Sequence, residues 1–286
     1  MHIATTEEEV QEFVKTCKSR EQKVGFVPTM GALHSGHLSL IDMARSHSDV
    51  VVCSIFVNPT QFNEKADLDN YPRTIDADII KLEEVECDLL FIPEVDGVYL
   101  EDHNPKRIDY KGLDKVMEGA MRPGHFDGVV EVVARLFEIV EPELAYFGEK
   151  DFQQLAIIRL MVEQLDCEVE IIGCPIVREA NGLAMSSRNE RLNREQRQQA
   201  SILHATLQAM KDLVDFLNPD EVEVWGRAKL EELDYCELEY LEVAESRTLQ
   251  PIFRWKECEA ARAFVVARFG DVRLIDNLEL YNSTSS

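Results

Sequence analysis

Residues 49–59 read DVVVCSIFVNP, a nearly continuous apolar run. A strand with one face in water alternates polar and apolar residues, whereas a run of this length marks a parallel strand covered on both faces. The same texture recurs through the first 175 residues. KVGFVPTM (23–30), DLLFIP (88–93), ELAYFG (143–148) and EVEIIGCPI (168–176) read as further strands, and residues 37–48, 73–86, 129–140 and 151–165 carry helical spacing. Strand–helix–strand repetition needs right-handed crossovers and predicts an open parallel sheet covered by helices, the α/β class. Ligands of such sheets bind beyond the carboxyl ends of the strands, so chemistry is expected where these strands run out.

After residue 176 the pattern changes. A long helical stretch (194–217) and an acidic helix (219–233) precede strand-like segments at CELEYLEVA, RAFVVARF and VRLIDNLEL. The expected organisation is an α/β domain over 1–175 and a smaller α+β domain over 176–286.

With 54 acidic and 30 basic residues the formal net charge is −24. Such a chain repels polyanions, so no nucleic-acid partner is expected, and any local cluster of Arg, Lys and His becomes informative. Most of the carboxylates read as a solvated surface. The opening MHIATTEEEVQEF has neither a basic nor an apolar signal region, and no apolar run approaches the roughly 20 residues that span a bilayer. A cytoplasmic protein without membrane attachment is expected. The seven cysteines are odd in number and include no C-x-x-C, which suits reduced, mostly buried thiols rather than disulfides or a zinc site.

The strongest local signal is PTMGALHSGH (28–37). A strand ends, Gly31 and Gly36 permit close backbone approach, and His34 and His37 stand at a helix entrance. Free amides and the positive end of the helix dipole suit a phosphate, and two imidazoles can donate to its oxygens. Two other readings stay open on these residues alone: a metal site lacking an evident third ligand, or two surface histidines in a turn.

His34-Ser35-Gly36-His37 after an apolar strand resembles the HIGH-type signature of the nucleotidyltransferase superfamily. PTMGALHSGH, SIFVNPTQF (54–62), YPRT (71–74), EGAMRPGHFDGV (118–129), FGEKDFQQ (147–154) and GLAMSSRN (182–189) occur in the order seen in pantothenate synthetases. GDVRLIDN (270–277) adds a weaker likeness near the end. The resemblance implies a Rossmann-like N-terminal domain and an ATP-dependent condensation of pantoate with β-alanine through a pantoyl adenylate, releasing AMP and pyrophosphate.

It also implies roles for particular residues. Met30, Gly31, Ala32, Leu33, His34, Ser35, Gly36 and His37 would contact ATP. So would Gly148, Glu149, Lys150 and Asp151, with Lys150 a compact charge for the α- and β-phosphates and Asp151 an acceptor for a ribose hydroxyl. Val177 and Met185 would flank the adenine, while Ser186, Ser187 and Arg188 on a mobile loop would bind the triphosphate. Gln61 and Gln154 would hold pantoate, with Asn58 beside them, since amides both donate and accept. His34, His37, Lys150 and Arg188 form the expected catalytic set. Magnesium would accompany ATP, with Asp78 a candidate to orient it through water unless Asp76 and Asp78 are simply exposed on their helix. Arg122 and His125 read as part of a pocket wall or lid, and a homodimer is the family expectation. Another nucleotidyltransferase, or an idle nucleotide-binding protein that keeps the fold, are the alternatives.

Overall fold

The computed structural model describes residues 1–62, 68–99 and 105–285, which form two compact units. The first comprises the described part of Met1–Asp114, with Glu118–Glu149 and Gln154–Pro175; the second comprises Lys115–Met117, Lys150–Gln153 and the chain from Ile176 onward.

Six strands build the sheet of the first unit: β1 (His2–Ala4), β2 (Val24–Thr29), β3 (Val50–Ile55), β4 (Leu89–Phe91), β5 (Leu144–Gly148) and β6 (Glu170–Cys174). Their spatial order is β1-β4-β3-β2-β5-β6, and every neighbouring pair is parallel. The longer helices are α1 (Glu7–Lys18), α2 (Ser35–His47), α3 (Ile75–Glu84), α4 (His125–Val140) and α5 (Phe152–Leu165). Every residue of β3 is buried, as its nearly continuous apolar run requires. Val27, Val51 and Cys53 pack with Leu40, Ile41 and Ala44 of α2 and Leu82 of α3.

The order of strands reverses between β2 and β5, which makes that edge the topological switch point. Register opens it further. β2 pairs with β3 from Val24 through Thr29 but with β5 only at Gly25 and Phe26. Pro28, which has no N–H to donate, therefore sits where β2 has already parted from β5. Sequence reasoning assigned no element before residue 23, yet β1 pairs with β4 (His2 opposite Leu89) and α1 follows it. Thr6 caps that helix: Glu9 N donates to Thr6 Oγ1 at 3.3 Å, and Thr6 N donates to Glu9 Oε2 at 3.1 Å.

The second unit holds an antiparallel sheet, β7 (Glu237–Glu245), β8 (Ala260–Phe269) and β9 (Val272–Asn282), in that order. Helices α6 (Arg194–Gln199), α7 (Ile202–Asp212) and α8 (Pro219–Glu231) belong to it, and Leu203, Leu207, Met210, Val222 and Leu230 share a core with Leu241, Val265 and Ala267. The single helix expected over 194–217 is broken at Ala200–Ser201. There Ser201 Oγ donates to the Gln198 carbonyl at 2.8 Å, and Leu203 N donates to the Ala200 carbonyl at 3.2 Å, a tightened turn.

All seven cysteines are free, five of them buried. Burial raises the thiols of Cys174 and Cys236 to about 11, so neither is nucleophilic near neutral pH. Among the described residues no helix is long and apolar enough to cross a membrane.

Candidate active site

The loop after β2 is shaped by its neighbours on the sheet edge. Thr29 Oγ1 donates to the Ser54 carbonyl at 2.8 Å and accepts from Gly31 N at 3.1 Å. Gly31 and Ala32 then both enter the left-handed region, at φ +79 and +50. Glycine adopts that conformation freely, whereas alanine stays there only when its surroundings hold it. The holder is Asp78 of α3: its Oδ2 accepts from Ala32 N at 2.8 Å and Thr74 Oγ1 at 3.1 Å, and its Oδ1 accepts from Leu33 N at 2.8 Å. The reading of Asp78 as an exposed helix residue fails, because Asp78 is 0% exposed and only Asp76 faces outward. The helix turns this carboxylate inward, where two otherwise unsatisfied backbone amides need an anion.

His34 is the N-cap of α2. Its Nδ1 accepts from Gly36 N at 3.1 Å, while His37 Nδ1 accepts from His34 N at 3.3 Å. The first turn is therefore less open than the sequence suggests, since the Gly36 amide is already engaged. The two rings lie with centroids 4.1 Å apart, tilted by 31° to one another. Each imidazole thus uses its Nδ1 to cap its own helix.

The NPTQ turn follows β3. Asn58, 1% exposed, donates from Nδ2 to the Gly128 carbonyl at 3.0 Å, and its Oδ1 accepts from Tyr99 Oη at 2.9 Å and Thr60 Oγ1 at 3.1 Å. Gln61 is held through its backbone: the carbonyl accepts from His125 Nδ1 at 2.8 Å and Arg122 Nη2 at 3.4 Å. Its side-chain Nε2 lies 2.8 Å from Met30 Sδ, which brings this turn against the loop after β2. Arg122 and His125 accordingly act on the shape of the NPTQ turn, which the sequence left unassigned.

Gly128 allows α4 to touch that turn. A Cβ there would stand 2.7 Å from the carbonyl carbon and oxygen of Thr60 and 2.8 Å from Gln61 N. Backbone cannot yield as a side-chain tip can. Gly128→Ala is expected to destabilise the protein by about 1–3 kcal/mol. Unchanged thermal unfolding would contradict this.

Gly148 and Glu149 leave β5 at the switch point, and Gln154 lies on α5; all three belong to the first unit. Lys150 and Asp151 belong to the second, as do Val177 and Met185 to Arg188. There Lys150 Nζ lies 3.7 Å from Asp151 Oδ2. Met185 N donates to the Val177 carbonyl at 2.9 Å, so the two expected adenine neighbours oppose one another across a short hairpin closed by the Arg178–Ala184 bridge. Ser186 caps a 3-10 turn, Ser187–Arg191, by accepting from Arg188 N at 3.3 Å. Buried Asn189 ties the turn down, donating from Nδ2 to Glu179 Oε1 at 2.8 Å and to the Ala184 carbonyl at 3.0 Å.

Sequence reasoning missed Tyr99 and Gly128, and the reach of Gly128 toward Thr60 has no local signature. Among the described residues no group of three or more His, Cys, Asp or Glu could hold a metal ion.

A family model described as pantoate-beta-alanine ligase matches residues 2–279. A pantothenate synthetase of Bacteroides thetaiotaomicron is 44% identical over 279 residues, covering 98% of this chain and 99% of its own. That of Phocaeicola vulgatus is 46% identical over 280 residues, covering 98% and 99%. Among solved structures, pantothenate synthetase from Thermus thermophilus superposes with a TM-score of 0.92 at 42% identity, covering 98% of this chain and 100% of that one. A pantoate-beta-alanine ligase from Francisella tularensis, complexed with beta-gamma ATP and beta-alanine, gives 0.78 at 37% identity and covers 98% of both. With a match running through both units, this chain belongs to the pantoate–β-alanine ligase family of enzymes.

Proposed function

We propose that this chain condenses pantoate with β-alanine in two steps at one site. A pantoate carboxylate oxygen attacks the α-phosphorus of ATP and pyrophosphate leaves. The amine of β-alanine then attacks the acyl carbon of the pantoyl adenylate, giving pantothenate and AMP. The observation that carries the reading is the imidazole pair capping α2 beside the β2/β5 switch point, in a chain that the ligase family matches over residues 2–279. The Francisella relative, complexed with beta-gamma ATP and beta-alanine, supports it.

The difficulty of the first step is that both reactants are anions. His34, His37, Lys150 and Arg188 answer the charge on the phosphates, and Gln61 and Gln154 hold pantoate in line. Fixed alignment of two reactants is worth on the order of 7–11 kcal/mol. Asn58 contributes by holding the turn that carries Gln61. Contacts to the nucleotide come from Met30 through His37, from Gly148 through Asp151, and from Val177, Met185, Ser186, Ser187 and Arg188. The segment 182–189 closes over the adenylate and keeps water away. Magnesium accompanying ATP would supply charge neutralisation at the phosphates. We place the enzyme in the cytoplasm as a homodimer, which sedimentation checks directly.

The deciding experiment mixes the protein with ATP, magnesium, pantoate and β-alanine. AMP release that requires both organic substrates is expected. Binding of ATP with no AMP, or AMP release indifferent to pantoate, would overturn the proposal.

A further inference from the structure

The string GDVRLIDN ends in β9 on two buried polar residues for which the reaction scheme has no use: Asp276, 4% exposed, and Asn277, 1% exposed. Burying such groups is costly unless each is matched, and here the matches lead to the segments assigned to ATP. Arg178 meets Asp276 as a fork, Nη1 to Oδ2 at 2.6 Å and Nη2 to Oδ1 at 3.0 Å, and its Nη1 also donates to the Gly182 carbonyl at 3.1 Å. Asp276 thereby holds the arginine that ties the base of the hairpin leading into Ser186–Arg188 to its turn.

Asn277 works in the other direction. Arg262 Nη1 donates to Asn277 Oδ1 at 2.6 Å, and the Arg262 guanidinium lies 4.2 Å over the ring of Phe152. Guanidinium only donates, so the oxygen of the amide must face Arg262 and the NH2 must face away from it. That NH2 donates to the carbonyl of Lys150 at 2.9 Å. All of these residues lie in the second unit. We infer that Asp276 and Asn277 are positioning residues for ATP: Asn277 sets the backbone from which Lys150 projects, and Asp276, through Arg178, sets the hairpin that carries Arg188. The inference rests on the reading that Lys150 and Arg188 meet the phosphates.

Asn277→Asp tests it with almost no change of shape. The variant keeps an oxygen for Arg262 but points a second acceptor at the Lys150 carbonyl. Affinity for a non-hydrolysable ATP analogue and the single-turnover rate of adenylate formation are each expected to fall about 10- to 100-fold, the scale of a displaced catalytic group. The KM for β-alanine should stay within about two-fold, because the second step draws on other contacts. The same substitution made on Lys150→Ala should cost little more than Lys150→Ala alone, since the two changes share one effect.

Arg178→Lys is the companion variant. It keeps a cation against Asp276 but gives up the fork and the tie to Gly182, and it too should weaken the ATP analogue while sparing β-alanine. ATP affinity at the wild-type level in both variants overturns the inference. So does a loss from Asn277→Asp that is just as large when Lys150 is already alanine, because the effect would then not pass through that lysine. If Lys150→Ala alone binds and turns over ATP like the wild type, the reading of the site fails and takes the inference with it.

Discussion

Adenylate formation by a His37→Ala variant is expected to run about 10²–10³-fold slower than wild type in a single turnover, the usual consequence of removing one transition-state donor. The geometry predicts more than a loss, because His37 has two separable jobs. Its Nδ1 accepts from His34 N at 3.3 Å and helps close the first turn of α2, while in the proposed reaction its other ring nitrogen meets the phosphates. Alanine removes both. Asparagine places an oxygen where Nδ1 stands but has nothing at the position of Nε2. His37→Asn should therefore retain most of the cap, worth about 0.5–2 kcal/mol, and still lose the rate. Thermal unfolding and quench-flow measurements on the pair separate the two jobs. A rate within a few-fold of wild type in either variant removes His37 from catalysis. Equal loss of stability in both would mean that the ring acts through packing rather than through its acceptor nitrogen.

The division of labour within one ring shows what a linear sequence can and cannot display. Histidines after a strand that ends in a glycine turn announce a helix entrance, and β3 announces its own burial through six apolar or small residues in a row. Both signals are local. β1 is a three-residue strand whose partner, β4, lies far along the chain, so nothing near His2–Ala4 marks it, although the capping pair Thr6 and Glu9 marks the helix that follows. The continuous helix expected over 194–217 breaks at Ala200–Ser201, where a serine hydroxyl competes for backbone. At the candidate site the residues that stand out in the sequence are those whose chemistry is unusual in an acidic chain: His34, His37, Lys150 and Arg188. Asn58, Asp78, His125 and Gly128 act by holding backbone on another element, and the partner in each contact is set by tertiary packing. Arg122 likewise reaches another element, lying 3.4 Å from the Gln61 carbonyl and 3.7 Å from Glu118.

Asp78 carries the second large expectation, since two readings of it diverge in measurable ways. A buried carboxylate accepting from two backbone amides and a hydroxyl holds Ala32 in a conformation that alanine otherwise avoids. Asp78→Ala strands those donors and should destabilise the protein by about 3–4 kcal/mol. For a domain of this size the unfolding midpoint then falls by the order of 10 °C. Asp78→Asn should come close to the same result, because an amide keeps one acceptor oxygen and turns its NH2 toward a backbone N–H on the other side. Both losses appear without ATP or metal, since the clamp belongs to the resting fold. Were Asp78 chiefly an orienter of magnesium through water, Asp78→Asn would unfold at the wild-type temperature and demand more magnesium for half-maximal AMP release. The hydrogen bonds favour the clamp: a carboxylate already accepting from three protein donors has little left to offer a hydrated ion, and what it provides to catalysis passes through the backbone that ends at His34.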